Sequence, residues 1–237
     1  MLKYLRYSYF QKLLLELSSL EKDIKEYRRK ARELEKAVIK DNNPFLAFHL
    51  AREISVFHLS TKKLENFVIN NASSDLIYRY ARDVKNANIN KLQNALISKK
   101  DTIALAKFAI FVRGSDKRII LDIIKKENNA KAAYLFIKHI KYLNINEIKN
   151  IIIHSKKPRY LFELAKKTKS KKELEIIEDL IILSKSDLYV RLFAKHIHGA
   201  NIEKLENRII RSNNKTEMIK FAKEIKSPRL NKLLILF

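Results

Sequence analysis

A short motif recurs along the chain: a large apolar residue, then Ala in every copy but Phe136-Ile137-Lys138 and, in most copies, a cation. Its clearest copies are Phe193-Ala194-Lys195 and Phe221-Ala222-Lys223. The central positions of the seven copies are 51, 81, 109, 137, 165, 194 and 222, which lie 28–30 residues apart. A fixed period of this length is the signature of a repeat protein.

Two apolar columns with the same period precede the motif. They lie four residues apart and therefore on one face of a helix. The first column is Leu34, Leu64, Leu92, Ile120, Ile148, Ile177 and Leu205, and the second is Val38, Val68, Leu96, Ile124, Ile152, Ile181 and Ile209. Each repeat is therefore predicted to contain a first helix with these columns and a second helix with the motif.

Residues that cap helices stand at the expected boundaries. Before the second helices come Asn43, Ser73, Asp101, Asn129, Ser186 and Asn214, with Lys157 as the exception. Before the first helices come Ser60, Asn88, Asp116, Asn144 and Asn201. Side-chain oxygens at such positions accept hydrogen bonds from the exposed amides of a first helical turn.

The pattern predicts an all-α fold, a right-handed αα-solenoid of about seven helical hairpins of 28–30 residues. Residues 1–237 are interpreted as one domain, with repeats over 34–228, an N-terminal helical cap or arm over 1–33 and a short capping helix over 229–237. Over residues 34–228 the chain resembles HEAT, armadillo and tetratricopeptide arrays, in architecture only. The resemblance implies stacked hairpins that bury a continuous core.

The N-terminal region carries apolar residues at positions 13, 17, 20, 24, 27, 31, 34 and 38. Steps that alternate four and three make a heptad seam, so one long helix is predicted over about residues 10–40. Two interpretations remain open. The seam packs on the following repeats as a terminal cap, which solenoids need, or it forms a coiled-coil arm through which two chains dimerise.

Composition restricts the function classes. The 237 residues include 2 Gly, 3 Pro and no Cys, which favours helices joined by short loops and excludes disulfides and thiolate metal sites. The first twenty residues lack the pattern of a secretory signal, and the chain has no uncharged apolar stretch of about 18 residues, so no membrane span is predicted. We expect a cytoplasmic protein.

The net charge of +24 indicates a polyanionic partner, with a Lys-rich codon bias as the alternative explanation. Two positions of the second helix, one and four residues after the small residue, hold eleven cations and no carboxylate at fourteen places. The cations are Arg52, Arg82, Lys85, Arg113, Lys138, Lys141, Lys166, Lys169, Lys195, Lys223 and Lys226. The matching first-helix position, predicted to be exposed, reads Glu35, Glu65, Gln93, Leu121, Lys149, Glu178 and Glu206. A basic ribbon on the second helices is therefore predicted.

The sequence contains few candidate catalytic or metal-binding motifs. The six His residues form no HExxH motif, and no Gly-rich phosphate loop is present, so we predict no catalytic residue, no metal and no cofactor. Gly114 and Gly199 are predicted to end helices. Asn66, Asn94, Asn150 and Asn207 are expected to be solvated, and Phe108, Phe136, Phe193 and Phe221 are expected in the core.

These observations predict a non-enzymatic repeat protein that binds DNA or RNA through backbone contacts. One alternative is a protein-interaction scaffold that holds an acidic helix or tail. Another is a basic subunit of a larger assembly. The length and charge are similar to those of HEAT-like alkylpurine DNA glycosylases, but the Trp that those enzymes use has no counterpart in this Trp-free chain.

Overall fold

The computed structural model describes residues 7–20, 23–140 and 144–235. Within these ranges it contains sixteen α-helices, one 3-10 turn and no β-strand. The predicted all-α class is therefore confirmed. None of the helices in these ranges is long and apolar enough to cross a membrane.

The chain forms two compact units, Met1–Asp122 and Ile123–Phe237. The boundary falls within α8 (Lys117–Lys126). The earlier helices are α1 (Tyr7–Ser19), α2 (Ile24–Lys40), α3 (Pro44–Val56), α4 (Lys62–Asn71), α5 (Ser74–Asp83), α6 (Ile89–Ser98) and α7 (Thr102–Phe111). The later ones are α9 (Ala130–His139), α10 (Lys149–Ser155), α11 (Pro158–Ala165), α12 (Lys171–Leu183), α13 (Asp187–His196), α14 (Ile202–Ser212), α15 (Lys215–Ile225) and α16 (Pro228–Ile235), with the 3-10 turn at Ile145–Glu147. The one-domain interpretation of residues 1–237 stays a prediction.

Burial follows the apolar columns. All fourteen residues of the two first-helix columns are at most 7% exposed. Phe108, Phe136, Phe193 and Phe221 are at most 1% exposed, so their predicted place in the core is confirmed. Because burying a side chain of this size contributes about 1.5–3 kcal/mol, these columns supply the main force that holds the helices together.

Packing within each unit follows one scheme. In the first unit α3 packs against α2, α4 and α5, and α5 packs against α6 and α7. In the second unit α11 packs against α9, α10, α12 and α13, and α13 packs against α14 and α15. The small residue of the motif is buried in every copy that holds Ala. Its size allows neighbouring helices to approach closely.

Left-handed backbone conformations recur with the period of the sequence. After first helices they occur at Asn42, Lys100, Asn128, Lys156, Lys185 and Asn213, and from position 100 onward they lie 28, 28, 29 and 28 residues apart. After second helices they occur at His58, Asn86, Gly114, Gly199 and Lys226. Gly114 and Gly199 have φ values of +84° and +83°, which Gly adopts without strain, and they follow helices as predicted.

Most predicted caps bind the backbone. Asn43, Ser73, Asp101, Asn129 and Asn214 cap second helices, and Asn88, Asp116 and Asn201 cap first helices. Asn144 accepts a bond from the Asn146 amide at the 3-10 turn instead. Ser186 stands at its N-cap without a side-chain bond. The Ser60 cap is wrong, because Thr61 precedes α4 and makes no side-chain cap bond.

The prediction of one long N-terminal helix is also wrong. Helix α1 ends at Ser19, and α2 begins at Ile24 behind Asp23, whose carboxylate accepts bonds from the amides of Lys25 and Glu26 at 3.1 Å each. Ile24, a residue of the predicted seam, is 61% exposed. The rest of the seam in α2 is buried and α2 packs against α3, so the chain itself covers this stripe.

Candidate nucleic-acid interface

Ten of the eleven predicted cations lie in the described part of the chain, and all ten are exposed. Lys141 lies outside the described residues. We call the ten the carboxyl-end cations, because they lie in or just after the carboxyl-terminal part of a second helix. Cations are favoured there, since the carboxyl end of a helix carries partial negative charge.

The two cation columns do not share a helical face as predicted. Helices α5 and α7 end at Asp83 and Phe111, so Lys85 and Arg113 lie in the connections that follow. Val84 and Val112, which follow these helices, have an extended backbone, so the chain leaves the helical path there. Lys169 likewise follows α11, and Lys226 is the left-handed C-cap of α15.

Direct bonds bring the helix ends side by side in the first unit. The backbone amide of Lys85, after α5, donates to the hydroxyl of Ser55 in α3 at 3.2 Å. Helix α5 in turn packs on α7. Arg52, Arg82, Lys85 and Arg113 therefore project from neighbouring helix ends.

Equivalent bonds join helix ends in the second unit. The ammonium of Lys167, after α11, donates to the carbonyl of Ile140, the C-cap of α9, at 3.3 Å. The ammonium of Lys195 in α13 lies 3.3 Å from the carboxylate of Glu224 in α15. The end of α9 is thus adjacent to that of α11, and the end of α13 is adjacent to that of α15.

Three of the ten cations have a carboxylate partner. Arg82 pairs with Asp83 at 2.6 Å, Lys166 pairs with Glu163 at 3.3 Å, and Lys195 pairs with Glu224. All three are surface pairs, which contribute little to stability. The hydrogen bonds to Asp83 and Tyr78 raise the pKa of Arg82, which remains charged. The other seven have no carboxylate partner among the described residues.

Aromatic rings lie beneath four of these cations, a feature that the sequence analysis missed. The rings belong to residues four positions earlier: Phe48 under Arg52, Tyr78 under Arg82, Tyr134 under Lys138 and Phe162 under Lys166, at 4.4–5.9 Å from cation to ring centre. Each ring is at most 6% exposed. The sequence contains this signal, because each ring lies four residues before its cation and residues four apart are neighbours on a helix.

The second unit adds one cation to this set. Arg159 lies over the Tyr134 ring at 5.3 Å and donates to its hydroxyl at 3.1 Å. Tyr134 stacks on Tyr160 with ring centres 4.6 Å apart. Cations on a ring face gain about 0.5–1 kcal/mol at exposed sites, so these contacts hold the charged groups in place while leaving them in solvent.

The first-helix position that we predicted to be exposed and neutral to acidic is largely buried. Glu65, Gln93, Glu178 and Glu206 are at most 7% exposed, and we call them the acceptor position. Glu65, Gln93 and Glu178 accept bonds, each at 2.8 Å, from the amides of residues 88, 116 and 201, all 23 positions later. Glu206 accepts from the hydroxyl of Ser227.

Two positions of that first-helix column differ. Leu121 is 7% exposed and apolar, and Lys149 pairs with Glu173. Burial raises the pKa of Glu178, against the opposing bond from Asn201. Glu65, Glu178 and Glu206 therefore serve the fold through their buried bonds.

Two of the Asn residues that were expected to be solvated make cross-repeat bonds. Asn66 accepts from the ammonium of Lys91, and Asn207 accepts from the guanidinium of Arg229 at 2.7 Å. Asp179 accepts from Lys204 in the same way. Asn94 and Asn150 are exposed, as predicted.

The described residues offer few groups suited to catalysis or metal binding. Within residues 7–20, 23–140 and 144–235, no group of three His, Cys, Asp or Glu residues is arranged to hold a metal ion. Burial, followed by the charges of Arg52 and Arg79, lowers the pKa of His49, which is therefore neutral at pH 7. No family model, curated protein or solved structure matches the chain.

Proposed function

We propose that this is a non-enzymatic nucleic-acid-binding protein whose carboxyl-end cations contact the phosphate backbone. One observation carries the proposal. The ten cations are all exposed, seven of them lack a carboxylate partner in the described residues, and bonds join three pairs of the helix ends that bear them, α3 with α5, α9 with α11 and α13 with α15. A row of unpaired charges at adjacent helix ends offers repeated contacts to a polyanion.

The architecture that we propose for this function is a right-handed solenoid of about seven hairpins. Three recurrences support it. Buried apolar columns repeat every 28–30 residues, left-handed connections after first helices repeat every 28 or 29 residues from Lys100 to Asn213, and the acceptor position repeatedly bonds an amide 23 residues later. Each recurrence involves a different kind of interaction, so the three support the repeat independently.

Backbone contact is favoured over base reading. The aromatic rings next to the cations are at most 6% exposed, so they do not offer free faces on which bases stack. Lysine and arginine on flexible stems bind phosphates without selecting a sequence. We therefore expect similar affinity for strands of different sequence.

A salt titration tests the proposal. Fluorescence anisotropy would follow binding of the purified chain to a labelled 20-nucleotide single strand of DNA, its RNA equivalent and a duplex of the same length. We expect log K to fall linearly with log salt, with a slope of about −0.7 per neutralised phosphate for a single strand. Absence of binding at low salt, or affinity indifferent to salt, contradicts the proposal.

A competition experiment with polyglutamate tests the scaffold alternative, because that alternative requires an acidic polypeptide as partner. Under the proposal, the nucleic acids displace polyglutamate at equal charge concentration. Displacement in the opposite direction would favour the scaffold.

A further inference from the structure

A cavity of about 570 Å³ opens in the first unit, and none of the ten carboxyl-end cations lines it. Its walls come from α2, the end of α3, the connection that follows α3 and the start of α4. Ala31, Ile54 and Leu59 contribute an apolar surface, and Arg28, Arg32, Lys36 and Lys63 contribute cations. This volume lies within the range of ordinary small-molecule sites.

The cavity has a local structural cause. Helix α3 continues five residues beyond Ala51, to Val56, whereas α5 ends two residues beyond the equivalent Ala81, at Asp83. Three extra residues lengthen a helix by about 4.5 Å. The following connection, with His58 and Ser60, therefore lines a hollow beside α2.

The cations of α2 divide into two sets. Arg29 bonds to both Glu26 and Glu33, at 2.5–2.8 Å. Arg28, Arg32 and Lys36, which follow one another at intervals of one helical turn, have no carboxylate partner among the described residues. All three line the cavity, so its rim carries charge that no described acid neutralises.

Glu35 is the one carboxylate in the lining. In the sequence pattern, Glu35 aligns with the acceptor position of the other first helices. It pairs with Lys63 at 3.6 Å, and its side chain is 12% exposed. A carboxylate opposes a simple anion and accepts hydrogen bonds from hydroxyl or amino groups. The lining therefore fits a ligand that combines an anionic end with a polar organic part.

We propose that this cavity binds an organic phosphate of nucleotide size. The guanidinium groups of Arg28 and Arg32 match the geometry of phosphate oxygens, and Lys36 adds a third charge. The amino end of α4 borders the cavity through Ser60 and Lys63 and adds partial positive charge. The apolar surface packs against the organic part, and Glu35 accepts a bond from it.

Isothermal titration calorimetry with ATP, tripolyphosphate and adenosine tests this proposal on the full chain. We expect saturable 1:1 binding of ATP, weaker binding of tripolyphosphate and none of adenosine. Equal affinity for ATP and tripolyphosphate would show that the organic part is not recognised and would contradict the proposal of an organic phosphate. Lack of saturable 1:1 binding by either phosphate probe at low salt would overturn it.

Variants separate the cavity from general charge. The double variant R28Q/R32Q should weaken ATP binding by about tenfold or more, since it removes two charged contacts. Lys36→Gln should weaken it to a smaller degree. The control K117Q/R118Q removes two exposed cations from the same unit outside the cavity, and it should change the affinity less than about threefold. Equal losses in the two double variants would overturn the proposal. Circular dichroism melts confirm that each variant folds.

Discussion

At the residue scale, the acceptor position links a first helix to the chain 23 residues later. The buried carboxylate of Glu65 accepts from the Asn88 amide at 2.8 Å, and Gln93 does the same for the Asp116 amide. The neutral side-chain amide of Gln93 and the charged carboxylate of Glu65 thus occupy equivalent positions. The bond itself, more than the charge, is what the position requires.

This equivalence predicts the effect of two substitutions at Glu65. Glu65→Ala leaves the amide of Asn88 without its partly buried partner and should lower the free energy of unfolding by about 1–3 kcal/mol. Glu65→Gln keeps an acceptor and should change it by less than about 0.5 kcal/mol. Urea denaturation measures both. Equal destabilisation by the two substitutions would show that charge, not the bond, matters.

Arg191 is the most buried cation of the second unit, at 8% exposed. Its guanidinium bonds to Glu217 at 2.8 Å and to Glu224 at 2.6 Å. Burial raises the pKa of Glu217, but the bonds from Arg191 and Lys220 outweigh it and lower the pKa. The bond from Arg191 is also the main cause of the lowered pKa of Glu224.

Arg191→Met should therefore destabilise the protein in a pH-dependent way. At pH 7 we expect a loss of about 2 kcal/mol in the free energy of unfolding. Carboxylates with a lowered pKa in the folded state stabilise it above their ordinary pKa of 4.5, and this contribution disappears as the pH falls through the lowered value. The difference between the two proteins should shrink below about pH 4.5.

Urea denaturation from pH 3 to 8 measures this difference. Arg211→Met, at an exposed position of α14, is the control and should stay within about 0.5 kcal/mol of the parent. A loss independent of pH would mean that Arg191 acts through packing alone.

Residue-scale errors of the sequence analysis have physical causes. The acceptor position was predicted to be exposed because polar residues usually are, and the pattern of one helix does not reveal that the following connection covers it. The rings of Phe48, Tyr78, Tyr134 and Phe162 were not predicted, because an aromatic residue on a second helix is equally consistent with a place in the core. Their spacing of four from the cations is visible in the sequence.

At the scale of helices, caps explain both the success and the failure of the predicted boundaries. Five of the six cap residues that were predicted for second helices bind the backbone. The break before α2 was missed, although Asp23 followed by Glu26 has the spacing of a capping box. The heptad seam continues across this break and obscured it.

Helix α11 lacks a side-chain cap, because Lys157 occupies its N-cap with an extended backbone. Lys157→Asn should raise the free energy of unfolding by about 0.5–1 kcal/mol through a new capping bond. The lost contact between Lys157 and the Tyr160 ring, at 5.5 Å, reduces this gain. The reverse change, Asn129→Lys on α9, should destabilise by about 1 kcal/mol. Thermal unfolding compares them, and destabilisation by Lys157→Asn would contradict the assignment.

The small-residue column allows a test of helix packing. Ala109 in α7 is fully buried, so Ala109→Leu should overpack the core and lower the free energy of unfolding by about 1–3 kcal/mol. Ala95→Leu, at a half-buried position of α6, is the matched control and should change it much less. Chemical denaturation measures both, and equal effects would mean that helices do not approach closely at this column.

At the scale of the whole molecule, the fold class was predictable because a core needs the same apolar positions in every repeat. The exposure of the ten described cations also followed from their places in that pattern. Their exact arrangement did not, since it depends on where α5, α7 and α11 end. Within each unit the cations still lie at bonded or packed helix ends, and the proposed function depends on that proximity.

The central claim is that the carboxyl-end cations form the nucleic-acid contact. Its most direct test is the salt slope of single-strand binding for two variants of equal net charge. One replaces Lys138, Lys169, Lys223 and Lys226 with Gln. The other replaces Lys131, Lys171, Lys172 and Lys232, which are also exposed in the second unit. We predict that the first slope falls by roughly 2–3, at about 0.7 per lost phosphate contact, while the second stays near that of the parent. Equal slopes in the two variants would contradict the claim.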